Sequence, residues 1–180
     1  MTIYIALLRG INVGGHHKIK MADLKSLLET MGLQKVKTYI QSGNVLFESD
    51  EEEKQLTQRM EEEIGKTFGF PVPVVLRTAE EFEQIIRDCP FSTDSLKEGE
   101  SVQIAFLADT PSEEGINQLS SYKSQMEEFM IKEKEMYLFF RQSILDSKLA
   151  AQIPKLGVTA TVRNWKTVMK LAAMARDMPQ

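Results

Sequence analysis

Thr2-Ile3-Tyr4-Ile5-Ala6-Leu7-Leu8-Arg9-Gly10-Ile11-Asn12-Val13-Gly14-Gly15 is the stretch from which the fold is read. Ile3, Ile5 and Leu7 lie on one face of an extended chain, and Tyr4, Ala6 and Leu8 on the other. A run apolar on both faces predicts a central strand covered on both sides. Three glycines then fall between positions 10 and 15. Glycine reaches positive φ without steric cost and lets backbone or ligand approach closely. Strand, glycine loop and helix together form an arrangement that can cradle an anion, because free N–H groups point out of the helix start.

Working outward, Met21, Leu24, Leu27, Leu28 and Met31 share one helical face, and Gly32 stands at the C-terminal cap position. Val36–Gln41 and Asn44–Glu48 flank Ser42-Gly43 and read as a hairpin. A long acidic helix over Asp50–Phe68 turns Leu56, Met60 and Ile64 inward and stops at Gly69. Val72–Arg77 reads as a strand, with Pro73 marking a sheet edge. The order is βαββαβ, the ferredoxin-like plan.

Thr78–Asp88 reads as a connecting helix. The Pro-, Ser- and charge-rich run from Cys89 to Ser101 is the expected boundary. Beyond it come a strand (Val102–Ala108), a helix capped by Ser112, a hairpin around Glu133-Lys134 and a short helix (Ser147–Leu156). The expected division is therefore a first half over 1–88, a linker over 89–101, and a second half over 102–180. The fold class is α+β: two tandem ferredoxin-like halves, βαββαβ then βαββα, with a C-terminal helix. No sequence repeat is evident between the halves. The last helix is expected over Val162–Arg176, with Thr161 as N-cap and Asn164 at the third position. Its apolar stripe is Val162, Trp165, Val168, Met169 and Ala172, with Trp165 in the core. Arg163, Lys166, Thr167 and Lys170 form a basic stripe beside it.

The chain has 180 residues, 42% of them hydrophobic and 27% charged, with net charge −4. This is an ordinary globular composition and excludes a protein basic throughout that coats nucleic acid. The charge is nonetheless segregated: residues 147–176 hold no Asp or Glu. The single cysteine, Cys89, rules out an intrachain disulfide and fits a reducing compartment. No apolar run approaches the roughly 18 residues of a membrane span, and no signal peptide is evident. The expectation is a cytoplasmic protein without a membrane partner.

Gly10 and Gly15 have the spacing of a phosphate-binding P-loop, but His16 and His17 replace its Lys and Ser/Thr, so the NTPase reading fails. What remains is an anion site of another kind. Arg9, a bidentate cation at a strand end, Gly10, Asn12, Gly14, Gly15 and Lys18 would form it. The polar turn residues Ser42 and Asn44 would join them, with Arg163, Asn164 and Lys166 at the start of the last helix. His16 and His17 could act as acid or base, but adjacent loop histidines point apart and the chain has no other. No metal and no cofactor are expected, and Cys89 reads as structural.

Arg9-Gly10-Ile11-Asn12-Val13-Gly14-Gly15, Thr38-Tyr39-Ile40-Gln41-Ser42-Gly43-Asn44-Val45 and Ala160-Thr161-Val162-Arg163-Asn164-Trp165 together resemble an uncharacterised bacterial family, domain-of-unknown-function family 1697. The resemblance implies a two-part α+β fold of tandem ferredoxin-like halves and implies no activity. His17 and Lys166 depart from the family pattern, which carries Asn at both positions. The functional expectation is a binding module for a phosphate-bearing ligand, a nucleotide or nucleic acid. The alternatives are an enzyme acting on a small anionic substrate, with His16 or His17 as acid/base, and a protein-interaction module.

Overall fold

A computed structural model describes residues 1–178. The chain forms two compact units, one made of Met1–Gln84 with the chain from Lys170 onward, the other of Ile85–Met169.

The first unit is built in the order β1 (Thr2–Leu8), α1 (Met21–Thr30), β2 (Gln34–Tyr39), β3 (Asn44–Ser49), α2 (Glu53–Phe68), β4 (Val74–Thr78), and α3 (Ala79–Arg87) begins in it. Its sheet runs β2-β3-β1-β4, wholly antiparallel. β1 is central: Ile5 faces Leu46 on one side and Arg77 on the other. Residues Ile3–Leu8 are all buried, as their two-faced apolar pattern requires. Tyr4, Ala6 and Leu8 pack in one cluster with Leu24 and Leu28 of α1 and Leu56, Met60 and Ile64 of α2. The i, i+4, i+8 spacing of the α2 residues sets them along one face. Burying a side chain of this size contributes roughly 1.5–3 kcal/mol relative to exposure. Gly69, at φ 84, ends α2 and donates its N–H to the Gly65 carbonyl.

The second unit repeats the plan with β5 (Ser101–Leu107), α4 (Glu113–Ser120), β6 (Glu127–Lys132), β7 (Glu135–Phe140), α5 (Lys148–Gln152) and β8 (Ala160–Asn164), after which α6 (Trp165–Arg176) begins. Its sheet order, β6-β7-β5-β8, is that of the first sheet strand for strand. Ala105, Leu107, Leu138 and Phe140 pack against Leu119 of α4 and Leu149 of α5. The two tandem ferredoxin-like halves and the C-terminal helix are present as expected.

One stretch differs from the sequence reading. Residues 160–164 form β8, which completes βαββαβ in the second half, and the last helix begins at Trp165 rather than Val162. The β-branched pair Thr161-Val162 favours a ladder, and Thr161 pairs with Phe106. The cap is Asn164, whose side-chain oxygen accepts the Thr167 N–H at 2.9 Å. Thr161 caps nothing. The shift also changes the buried face of α6, which is Val168, Leu171, Ala172 and Ala175, while Met169 is exposed and Trp165 only partly buried.

The corrected strand exposes a short repeat hidden at the sequence level. Leu76-Arg77-Thr78 closes the first sheet and Val162-Arg163-Asn164 the second. Arg77 faces Ile5 and Arg163 faces Ile104, the matching positions of β1 and β5. Each guanidinium donates to the carbonyl of the residue before it, Leu76 at 2.9 Å and Val162 at 3.0 Å. Each following residue then caps a helix: Thr78 accepts the Glu81 N–H at 3.1 Å, as Asn164 accepts that of Thr167. Glu81 also reaches back to the Thr78 N–H at 2.9 Å, closing a capping box.

Two substitutions separate strand from helix at this junction. Asn164→Ala should cost about 1 kcal/mol in denaturant titration. Thr161→Val should be neutral or stabilising, because the Thr161 hydroxyl is buried without a hydrogen-bond partner. A loss of about 1 kcal/mol at Thr161 with none at Asn164 would restore the longer helix. Residues 91–100 hold neither helix nor strand and are largely exposed, so limited proteolysis is expected to cut there first, before any cut in 36–48.

Candidate functional site

The loop between β1 and α1 is a miniature hairpin. Asn12 N–H donates to the His17 carbonyl and His16 N–H to the Val13 carbonyl, both at 3.0 Å. Gly14 and Gly15 form the turn with φ 60 and 76. A two-residue turn with both φ values positive is the geometry that glycine pairs supply. Gly10, Asn12 and His17 also have positive φ, 75, 57 and 52. Asn and His both tolerate this region better than most side chains. The His17 ring lies flat on Phe70, centroids 4.3 Å apart.

Asn12 holds this loop to the β2–β3 turn. Its side-chain nitrogen donates to the Ile19 carbonyl at 3.0 Å and the Gln41 carbonyl at 2.7 Å, and its oxygen accepts the Ile19 N–H at 2.9 Å. Gly43 makes the second tie. Its carbonyl accepts the Leu8 N–H at 2.8 Å, and a Cβ there would stand 2.8 Å from atoms of both Leu8 and Ile11. The two motifs therefore build one structure.

Beside this joint lies a concave pocket of about 610 Å³, within the range of small-ligand sites. Lys18, Lys20 and Asp23 line it with the Gln41 side, and Met21, Ile19 and Phe68 give it an apolar wall. Lys20 is also the N-cap residue of α1, and its side chain makes no capping bond. The positive end of the α1 dipole thus opens beside two lysines, with Asp23 the one carboxylate among the lining residues.

Of the expected site residues, Asn12, Gly15 and Lys18 line this pocket. Asn12 does so as a tie, its amide already engaged. Arg9 is exposed at the end of β1, with its backbone N–H on the Pro73 carbonyl at 3.0 Å. Gly10 and Gly14 shape the loop. Ser42 and Asn44 serve the turn: Asn44 is fully buried and donates to the Tyr39 carbonyl and the Ser42 hydroxyl, each at 2.9 Å. Arg163, Asn164 and Lys166 belong to the second unit. Burial pushes the Arg163 guanidinium down to about 10, which leaves it charged at neutral pH. Lys166 is exposed in the first turn of α6.

Burial also raises the Cys89 thiol, away from the thiolate that a nucleophile needs. Among the described residues no three His, Cys, Asp or Glu side chains gather as a metal site, and no helix is long and apolar enough to cross a membrane.

The sequence reading missed Phe68, Met21 and Asp23 as lining residues, and it missed Ile40. Ile40 has φ 47 and is 49% exposed. A β-branched residue in the left-handed region is an outlier, and this one adjoins Gln41. Val13, on the glycine loop, is likewise exposed.

Two successive ferredoxin-like units, the first bearing a glycine hairpin beside a cationic pocket, define the class of α+β protein. The chain belongs to the family described as protein of unknown function (DUF1697), whose family model matches residues 1–137. Among solved structures it is similar to the conserved bacterial protein SP0830 from Streptococcus pneumoniae. That likeness has 29% identity and a TM-score of 0.79, and covers 97% of this chain and 98% of that one. No curated protein matches the chain.

Replacing Ile40 by Gly should relieve the backbone strain and raise stability by about 1 kcal/mol, since left-handed φ costs a non-glycine residue roughly 1–2 kcal/mol. In a chain of this size that corresponds to about 2–4 °C in Tm. An unchanged or lower Tm would mean that Ile40 is held by favourable packing instead.

Proposed function

We propose that the protein is a cytoplasmic binding module for a phosphate-bearing ligand, a nucleotide or nucleic acid, with the first unit's pocket as its site. One observation carries the reading: Lys18, Lys20 and the side-chain-uncapped start of α1 meet in a single concavity that has an apolar wall. Two cations and a helix N-terminus attract phosphate. Met21 and Phe68 offer surface to the uncharged part of such a ligand, as stacking sites do for bases. Asp23 and the Gln41 amide supply an acceptor and a further polar contact on the same wall. The glycine hairpin then acts as a rigid rim, held by Asn12, rather than as a loop wrapped around phosphates. The second unit's Arg163 and Lys166 remain proposed anion contacts, to be weighed by their own substitutions.

A thermal-shift screen of nucleotides and phosphorylated metabolites, beside single-strand and duplex binding at two salt concentrations, tests the proposal. A ligand at about 100 times its Kd should stabilise by about 2.7 kcal/mol. Lys18→Ala and Lys20→Ala should each remove most of that shift. For a nucleic acid, each should flatten the log–log salt slope by about 0.7 to 0.9. Arg163→Ala and Lys166→Ala show whether the second unit contributes. If no compound shifts Tm and no binding is salt-sensitive, the pocket is not an anion site.

A further inference from the structure

The two sheets share a strand order but not an edge. In the first, β2 is the outer strand beside β3, and it is irregular. Its register slips between Gln34 and Lys37, and Lys35 sits at φ 53. A bulge and outward lysines are the ordinary means of keeping an edge from pairing with another chain. In the second sheet the same place is held by β6, whose pairing with β7 runs unbroken from Glu127↔Phe140 to Lys132↔Glu135.

The direction of the β6 backbone groups follows from its hairpin. The two-residue turn Glu133-Lys134 makes Lys132 and Glu135 a hydrogen-bonded pair, and such pairs recur at every second residue. Met126 confirms the parity, since its carbonyl accepts the Arg141 N–H at 2.7 Å. Lys132, Met130 and Glu128 therefore bond to β7, while Ile131 and Phe129 turn N–H and C=O to the open side.

We propose that β6 pairs antiparallel with β6 of a second copy of this chain, about a two-fold axis at Met130. In that register the outward groups of Phe129 meet those of Ile131 in the other copy, and Met130, 49% exposed, meets itself. Glu128 comes opposite Lys132 of the second copy, twice by symmetry, and opposite charges directly across strands favour the pairing. Arg141 already holds Glu128 at 3.0 Å and Asp88 holds Lys132 at 2.8 Å. Joining the copies thus produces a line of alternating sign: Arg141, Glu128, then Lys132 and Asp88 of the other chain. Centring the axis on Phe129 instead would set Lys132 against Met126 and Glu128 against Met130, matching no charge. The site in the first unit takes no part in this inference.

Cysteine crosslinking tests the register directly. Residues opposite each other in a non-hydrogen-bonded pair have Cα atoms about 4.5 Å apart, within disulfide reach. Met130→Cys, in a Cys89→Ser background, should give a covalent dimer on mild oxidation. Glu128→Cys in the same background should not, since its two copies would lie about 14 Å apart. Sedimentation equilibrium of the unmodified chain from about 1 μM to about 1 mM, the range of weak association, should show a monomer–dimer equilibrium. Met130→Lys sets two like charges on the axis and should weaken it at least about tenfold, with an unchanged circular-dichroism spectrum because this side chain is exposed. A chain that stays monomeric across that range, a Met130→Lys protein that dimerises as well as the parent, or crosslinking at 128 in place of 130 would each overturn the proposal.

Discussion

The pocket end of the first unit depends on how closely one turn approaches one strand. A side chain at Gly43 would meet Leu8 and Ile11 at 2.8 Å, and neither can withdraw, because they are 0% and 1% exposed. Gly43 also has φ 94, so two independent constraints demand glycine there. Crowding a well-packed core costs about 1–3 kcal/mol even before backbone strain is added. The contact fixes the β2–β3 turn against β1, which places the Gln41 carbonyl where Asn12 can reach it. The polar character of the Gln41-Ser42-Gly43-Asn44 turn is thereby explained without a ligand. The Asn44 amide satisfies the Tyr39 carbonyl and the Ser42 hydroxyl, and what faces outward is Gln41 and the strained Ile40.

Much of the architecture was legible because its elements carry strong local signals. The two-faced apolar run of β1, the stripes of α1 and α2 and the glycines after them gave the order βαββαβ, and the family resemblance agreed with it. The junction at 160–165 was misread for a definite reason. Asn164 suits either the third position of a helix or its cap, and Val162, Trp165 and Val168 keep a helical spacing whether or not the helix has begun. Only the ladder with β5 decides between these readings. The repeat shared by Arg77-Thr78 and Arg163-Asn164 was invisible for the same reason, since it is a repeat of register and hydrogen bonding more than of residues.

The site was legible only in part. Glycines and lysines around 9–20 announced a special loop, but not that Gly14-Gly15 would close a small hairpin or that Lys20 would stand at a helix start. Phe68 comes from the far end of α2 and has no signal in its own neighbourhood that points to Lys18. Arg163 looked like a helix-start cation and became a strand residue. Segregated charge in a sequence locates cations along the chain, and the ladders decide which surface they serve.

The first unit is discontinuous: it contains residues 1–84 and then resumes at Lys170. On a ribosome its last piece therefore emerges only after the whole of 85–169 has been made. At roughly 5–20 residues per second, the early part waits on the order of 4–17 seconds with the surface that receives the end of α6 uncovered. Leu171, Ala172 and Ala175, all nearly fully buried in the finished chain, belong to that late piece. A protein arranged in this way completes its first unit only after its second has been made, and a fragment ending anywhere before Lys170 leaves that unit unfinished.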